Sequence, residues 1–174
     1  MFEVIEPGLQ TTVQDVGRKA GQAMGIPPSG AQDTTSLRIA NLLVGNDTGG
    51  PLMIRKDPGA AGLEVLLAGL KLRALDNHLV AVTGADVAPE VDGTPAPMWE
   101  SFELRAGQSL SFGIARTGVR AYLAVRGGID VPLTLGSRAT HMGGGFGGFE
   151  GRKLAAGDRL AVAPAPGDPG DLAG

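Results

Sequence analysis

Gly8-Leu-Gln-Thr-Thr-Val-Gln-Asp-Val-Gly-Arg18, followed by Gly25-Ile-Pro-Pro-Ser-Gly-Ala-Gln-Asp33, sets acid, base, amide and hydroxyl groups between glycines and prolines. That is more polar groups and special backbone positions than an ordinary edge strand carries. Glycine accepts positive φ and close backbone approach, and Pro27-Pro28 stiffens the path into Ser29. The stretch therefore reads as a rigid polar loop of the kind on which functional groups are mounted. The same punctuation continues along the chain, with 29 glycines and 12 prolines scattered between short apolar runs. Many tight turns joining short strands predict an all-β fold, mainly β with one helix.

Phe2-Glu-Val-Ile alternates as a first strand would. The helix is predicted over Thr34 to Val44: Asp33 supplies an N-cap, Leu37, Ala40, Leu43 and Val44 share one face, and Gly45 follows the last turn. Beyond it, strands are predicted over Pro51–Ile54, Leu63–Leu67, Leu70–Ala74, Leu79–Thr83, Met98–Glu103, Ser109–Gly113, Arg120–Val125 and Arg159–Val162. Asp57-Pro-Gly and Asp92-Gly mark turns between them. A short internal echo, Glu103-Leu-Arg-Ala-Gly-Gln-Ser-Leu110 and Lys153-Leu-Ala-Ala-Gly-Asp-Arg-Leu160, reads twice as a glycine turn feeding a strand with an inward leucine. From Ala163 the Pro/Gly-rich end has no periodicity and reads as a disordered tail or linker, leaving residues 1–162 as one domain.

The 174 residues are enough for a real core, and 43% apolar with 19% charged residues reads as a soluble globular protein. A net charge of -3 argues against nucleic acid as the main partner. No apolar run approaches a membrane span, and the N-terminus carries no signal-peptide pattern. Without cysteine there is no disulfide, thiolate nucleophile or zinc knuckle. Together these features read as a cytoplasmic protein.

Several residues carry chemistry that a site would use. Gln14, Asp15 and Arg18 lie close enough in sequence to converge on a polar substrate, or to form a salt bridge that fixes a turn. Ser29 and Gly30 offer a hydroxyl and backbone N–H groups at a helix entrance, or a capping arrangement in which Asp33 takes part. Met142-Gly-Gly-Gly-Phe-Gly-Gly-Phe-Glu-Gly-Arg152 reads as a flap or as a cluster of turns; it lacks the Gly-Lys-Ser/Thr ending of a phosphate loop. His141 stands at the edge of that segment as a possible acid or base, whereas Asp76-Asn-His78 reads as an exposed hairpin tip. Asp86 ends an apolar strand, facing a cleft or capping a turn. No spacing resembles a metal site or a nucleophile elbow.

The motif run Gly8-Leu-x-Thr-Thr-Val-Gln-Asp-x-Gly-Arg18, Gly25-x-Pro-Pro-Ser-Gly-Ala-x-Asp33 and Asn41-x-Leu-Val-Gly-Asn46 resembles the biotin-dependent carboxyltransferase family. So do Val82-Thr-Gly-Ala-Asp86, Tyr122-Leu-Ala-Val-x-Gly-Gly-Ile-Asp-Val-Pro132, Leu135-Gly-Ser-Arg138 and Gly147-Gly-Phe-Glu-Gly-Arg152. The resemblance runs in order up to about Val162. It takes in the carboxyltransferase part of urea carboxylase, allophanate hydrolase subunit 2, the KipI antagonist and the C component of ATP-dependent 5-oxoprolinase.

The resemblance implies a cyclophilin-like β-barrel, here the N-terminal half of the family's full length, working with partner subunits. Together with the reading of the residues, the expected site has Gln14, Asp15, Arg18 and His141 in catalytic roles, and Ser29, Gly30, Asp33, Asp86 and Arg138 in substrate binding. The leading expectation is the C component of an ATP-dependent 5-oxoprolinase, assembling with a KipI-like B component and a LamB/YcsF-like A component, with ATP used by the complex. The alternatives are a carboxyltransferase component for urea or another small amide, with biotin carried by another protein, and a non-catalytic, partner-binding regulator like the KipI antagonist.

Overall fold

The computed structural model describes residues 1–49 and 58–165. The expected strand at Pro51–Ile54 and the end of the chain from residue 166 lie outside the described residues. The elements, in chain order, are β1 (Phe2–Pro7), β2 (Gln10–Gln14), a 3-10 turn (Gln22–Met24), α1 (Thr34–Leu43), β3 (Gly62–Leu66), β4 (Leu70–Ala74) and β5 (His78–Asp86). They continue with β6 (Glu90–Val91), β7 (Thr94–Pro95), β8 (Ser101–Leu104), β9 (Ser109–Ser111), β10 (Thr117–Val125) and β11 (Arg159–Leu160).

Every pairing is antiparallel, in two sheets ordered β11-β1-β4-β9-β6-β7 and β2-β3-β10-β5-β8. The fold is thus all-β with one helix. The described strands form two sheets around a shared core rather than a single closed ring.

Period-two alternation builds that core. Phe2 and Val4 of β1, and Leu70, Leu72 and Ala74 of β4, point inward while the residues between them stay at least partly exposed. Leu63 and Val65, Val80 and Val82, and Leu123 and Val125 meet them from the other sheet. Each large side chain buried this way contributes about 1.5–3 kcal/mol over its exposed state. The middle strands β5 and β10 are buried on both faces, because α1 covers their outer side. Ala40 and Val44 pack there on Ala81 and Ala124, and Leu37 packs on Tyr122.

The helix starts where Asp33 predicts. Asp33 Oδ1 accepts from the Thr35 and Ser36 N–H groups at 3.1 and 3.0 Å, and Gly45 follows the C-terminus at φ 73°. The internal echo has one wiring used twice. The Arg105 N–H donates to Gln108 Oε1 and the Gln108 N–H to the Arg105 carbonyl; Ala155 and Asp158 repeat both bonds. The two turns deliver β9 onto β4 and β11 onto β1.

Three expectations change. Gln10–Gln14 is a strand, not a loop, although its polar side chains at Thr11, Thr12 and Gln14 are buried. Its outer edge is covered: the Leu154 N–H donates to the Thr11 carbonyl and the Thr140 N–H to the Val13 carbonyl, at 2.8 and 3.0 Å. A covered edge removes the solvent that would normally satisfy such groups, and hence the alternation that marks a strand. The strand expected at Met98–Glu103 begins only at Ser101, because Trp99 takes φ 63° while its N–H bonds back to the Val82 carbonyl. His78 is not an exposed tip; it begins β5, half-buried, with its ring 4.5 Å from that of Phe2.

Candidate functional site

The polar stretch that leaves β2 is held by residues from the far end of the chain. Asp15 is fully buried. Its Oδ1 accepts from the Gly17 N–H at 2.8 Å and from Ser137 Oγ at 2.7 Å, and its Oδ2 accepts from the Arg138 N–H at 2.5 Å. Burial pushes the Asp15 carboxyl above its ordinary pKa, while the bonds from Ser137, Arg138 and Gly17 and the charge of Arg138 pull the other way.

Arg18, 1% exposed, reaches across the same gap. It donates through Nη1 to Ser29 Oγ at 2.7 Å and through Nη2 to the Ala139 carbonyl, and its guanidinium lies 5.0 Å from the centre of the Phe146 ring. Burial lowers its pKa, and the charge of Asp15 partly restores it. Among the described residues no ion pair joins Asp15 to Arg18. The salt bridge considered from their spacing is replaced by two separate anchors on the 137–139 segment.

Gln14 completes the cluster. Its amide donates to Thr12 Oγ1 at 3.0 Å and to the Thr140 carbonyl at 3.5 Å. Its Oε1, like Arg18 Nε, is buried with no hydrogen-bond partner among the described residues. A buried acceptor and a buried donor are therefore left open beside the same loop, a costly arrangement outside a site.

Glycine makes the crossing of the two loops possible. Gly30 sits at φ 92°, where a Cβ would come within 2.7 Å of the Gly17 nitrogen, and Gly17 faces the Ser29 carbonyl equally closely. Ser29 itself adopts φ 53°, a position that aims its hydroxyl at Arg18.

The expected site residues thus separate into groups. Gln14, Asp15, Arg18, Ser29, Gly30, Arg138 and His141 gather around the 137–146 segment. Within that group Asp15, Arg18 and Gln14 face inward, while Ser29, Arg138 and His141 are half-buried and reach solvent. The His141 ring packs edge-on against Phe146, 5.0 Å between centres, and its carbonyl gathers the N–H groups of Gly144 and Gly145. Arg138 lines a cleft of about 220 Å³ with Asn46 and Gly127, and its guanidinium makes no hydrogen bond among the described residues.

Asp33 and Asp86 stand apart. Both Asp33 oxygens are taken by the first turn of α1, Oδ2 by Ser36 Oγ, and this holds the carboxyl below its ordinary range. Asp86 lines a separate cavity of about 580 Å³ at the end of β5.

Four residues that the sequence did not single out complete the frame. Ser137 and Phe146 serve Asp15 and Arg18. Glu64 and Tyr122 fix the end of the second polar stretch: the Gln32 N–H donates to Glu64 Oε2 at 2.7 Å, and the Asp33 N–H to the Tyr122 hydroxyl at 2.7 Å. The Tyr122 hydroxyl in turn donates to Glu64 Oε2 at 2.8 Å, and burial drives its pKa well up, so it stays a neutral donor. Ser137 and Tyr122 both lie within motifs quoted above, which was the signal available. Glu64 lies in none of them.

Part of the glycine-rich segment is closed by its own backbone: Gly144 and Gly145 donate to the His141 carbonyl, and Gly151 to that of Gly147, so these stretches are turns. Among the described residues no group of three His, Cys, Asp or Glu could hold a metal ion, and no helix is long and apolar enough to cross a membrane.

Comparison with known proteins gives consistent matches. A family model described as carboxyltransferase domain, subdomain A and B, matches residues 24–172. The chain is 42% identical over 164 residues to the 5-oxoprolinase C subunit of Escherichia coli (strain K12), covering 93% of this chain and 49% of that protein. It is 40% identical over 160 residues to the urea amidolyase of Saccharomyces cerevisiae, covering 91% of this chain and 8% of that protein. The crystal structure of the Kluyveromyces lactis urea carboxylase superposes with a TM-score of 0.85 at 39% identity, over 95% of this chain and 14% of that one. The chain spans about half the length of the 5-oxoprolinase relative, and a far smaller part of the urea-metabolising proteins.

Proposed function

The chain belongs to the carboxyltransferase domain family, subdomain A and B, and from that membership we propose that it is the N-terminal barrel of the C component of an ATP-dependent 5-oxoprolinase. The observation that carries this reading is the 42% identity to the 5-oxoprolinase C subunit across 93% of the chain. In this reading residues 1–162 are the working unit. The protein acts in the cytoplasm with a KipI-like B component and a LamB/YcsF-like A component, opening a lactam to glutamate.

The site is the loop crossing around Asp15. Ser29, Arg138 and His141 face the substrate, and Gln14, Asp15 and Arg18 position them from behind. A lactam presents one N–H and one C=O. An arginine and a histidine at the rim can bind its carboxylate and carry a proton, and donors fixed by a buried frame suit a developing oxyanion. The glycine-rich segment lacks the Gly-Lys-Ser/Thr ending of a phosphate loop, and ATP is used at the level of the complex.

Coexpression of the full-length protein with the two partners, followed by assay of glutamate from 5-oxoproline, tests the reading. Glutamate formed only with ATP supports it; none from the assembled complex overturns it. The 40% identity to urea amidolyase favours a second reading, a carboxyltransferase component for urea or a related amide with biotin carried by another protein. Avidin separates the two, because it stops the second activity and leaves the first intact.

A further inference from the structure

A cavity of about 580 Å³ lies at the opposite end of β5 from His78 and includes none of the residues gathered around Asp15. It opens beside a bulge in the β5–β10 pairing, where the register shifts between Thr117 and Ala121. Its rim is fixed by backbone bonds from the Trp99 N–H to the Val82 carbonyl, from Ala96 to Pro89 and from Arg116 to Asp86, at 2.7–2.8 Å. Two lining residues, Ala88 and Trp99, hold positive φ, at 42° and 63°. Backbone in that region costs energy and persists where surrounding structure enforces it, often at ligand sites.

The groups that line this cavity are chemically mixed and largely uncommitted. The Arg116 guanidinium has no hydrogen-bond or ion-pair partner among the described residues, and neither has the Glu90 carboxylate. Asp86 uses Oδ1 to accept from the Ala88 N–H at 3.1 Å, leaving Oδ2 open. The same cavity is lined by the apolar side chains of Pro89, Met98 and Trp99, with Trp99 44% exposed. A single anion would meet two carboxylates here and a single cation would meet the guanidinium. A molecule carrying both charges next to each other, with an apolar side chain for Pro89, Met98 and Trp99, satisfies every group at once.

We infer that the cleft beside the β5–β10 bulge is a binding site for a free α-amino acid with an apolar side chain. Its carboxylate pairs with Arg116, its ammonium with Asp86 and Glu90, and its side chain lies on Trp99 and Met98. The site is distinct from the loop crossing around Asp15 and does not depend on the activity proposed for it.

Trp99 is the only tryptophan in the chain, so the ligand would sit on the protein's own fluorophore. The experiment titrates the 174-residue chain with L-leucine, with 4-methylpentanoate, which lacks the ammonium, and with 3-methylbutylamine, which lacks the carboxylate, while following tryptophan emission. Leucine is expected to give a saturable change and to bind about tenfold more tightly than either half-molecule. Arg116→Gln and Glu90→Gln, both at exposed positions, are each expected to weaken leucine by a similar factor. No saturable change with leucine, equal binding of either half-molecule, or unaltered leucine binding in both variants overturns the inference.

Discussion

Asp15 Oδ1 accepts a hydrogen bond from Ser137 Oγ at 2.7 Å, joining side chains 122 positions apart in the chain. Because Asp15 also satisfies the Gly17 and Arg138 N–H groups, Asp15→Ala strands three donors. Urea denaturation is expected to show a loss of about 3 kcal/mol, and a smaller loss for Asp15→Asn, which keeps an acceptor of the same size. Equal stability of Asp15→Ala and the wild type would show that the carboxylate holds nothing together.

The same residue fixes a pH dependence. Burial raises the Asp15 pKa in the fold above its ordinary 3.8, so the folded state keeps that proton longer than the unfolded chain does. The associated stability is complete below the unfolded value and is lost as pH rises through the folded one. An asparagine at this position cannot ionise, so the stability of Asp15→Asn relative to the wild type is expected to improve as pH climbs out of the acid range. Denaturation midpoints of both proteins across that range test the slope, and a gap that widens against the variant contradicts it.

Asp33 behaves in the opposite sense. Its pKa is lowered by the bonds from Ser36 and Thr35, so the cap stabilises α1 above the ordinary carboxylate value and is lost as pH falls. Asp33→Ala is expected to cost about 1 kcal/mol at neutral pH, with Asp33→Ser restoring most of it. If α1 is capped as described, the Asp33→Ala deficit shrinks in acid; a constant deficit would point to another cause.

Gly30 and Gly157 adopt nearly the same φ, 92° and 89°, in different surroundings. A Cβ on Gly157 meets nothing within 4 Å, whereas on Gly30 it lies 2.7 Å from the Gly17 nitrogen. Gly157→Ala should cost about 1–2 kcal/mol for the backbone conformation alone. Gly30→Ala should cost measurably more by thermal denaturation, since the two loops must separate. Equal losses would mean the crossing is looser than its geometry.

If the complex proposed above is active, Arg138→Gln in it is expected to raise KM about tenfold with little change in Tm, because among the described residues its guanidinium has no hydrogen bond to lose. Asp15→Ala should instead lower Tm and activity together. An unchanged KM in Arg138→Gln would remove that residue from the substrate.

The all-β class and the helix were legible because alternation, glycine turns and the Asp33 cap are local signals. Strand β2 was not, since Thr11, Thr12 and Gln14 are buried polar residues whose cover comes from Thr140 and Leu154. Residue identities near Asp15 were informative, and the positions of its partners were not: nothing adjacent to Asp15 reveals that Ser137 and the Arg138 amide will meet it. The recurring Leu-x-Ala-Gly turn was visible as a pattern, and its meaning as shared wiring emerged only from the hydrogen bonds of Arg105 with Gln108 and of Ala155 with Asp158. For Asp86, the end of an apolar strand marked the position, while the lining by Pro89, Met98 and Trp99 depends on how the chain folds back after β5.

The covered edge of β2 also has a consequence for how the protein is made. During synthesis β2 emerges long before Thr140 and Leu154, the residues that close its outer side. Until they arrive, the strand offers an open row of carbonyl and amide groups to any neighbouring chain. Premature termination before residue 137 would leave Asp15 and Arg18 without their anchors. Such a product would keep an open strand edge and an unfinished polar cluster, so the first strands depend on residues 137–154 for their closure.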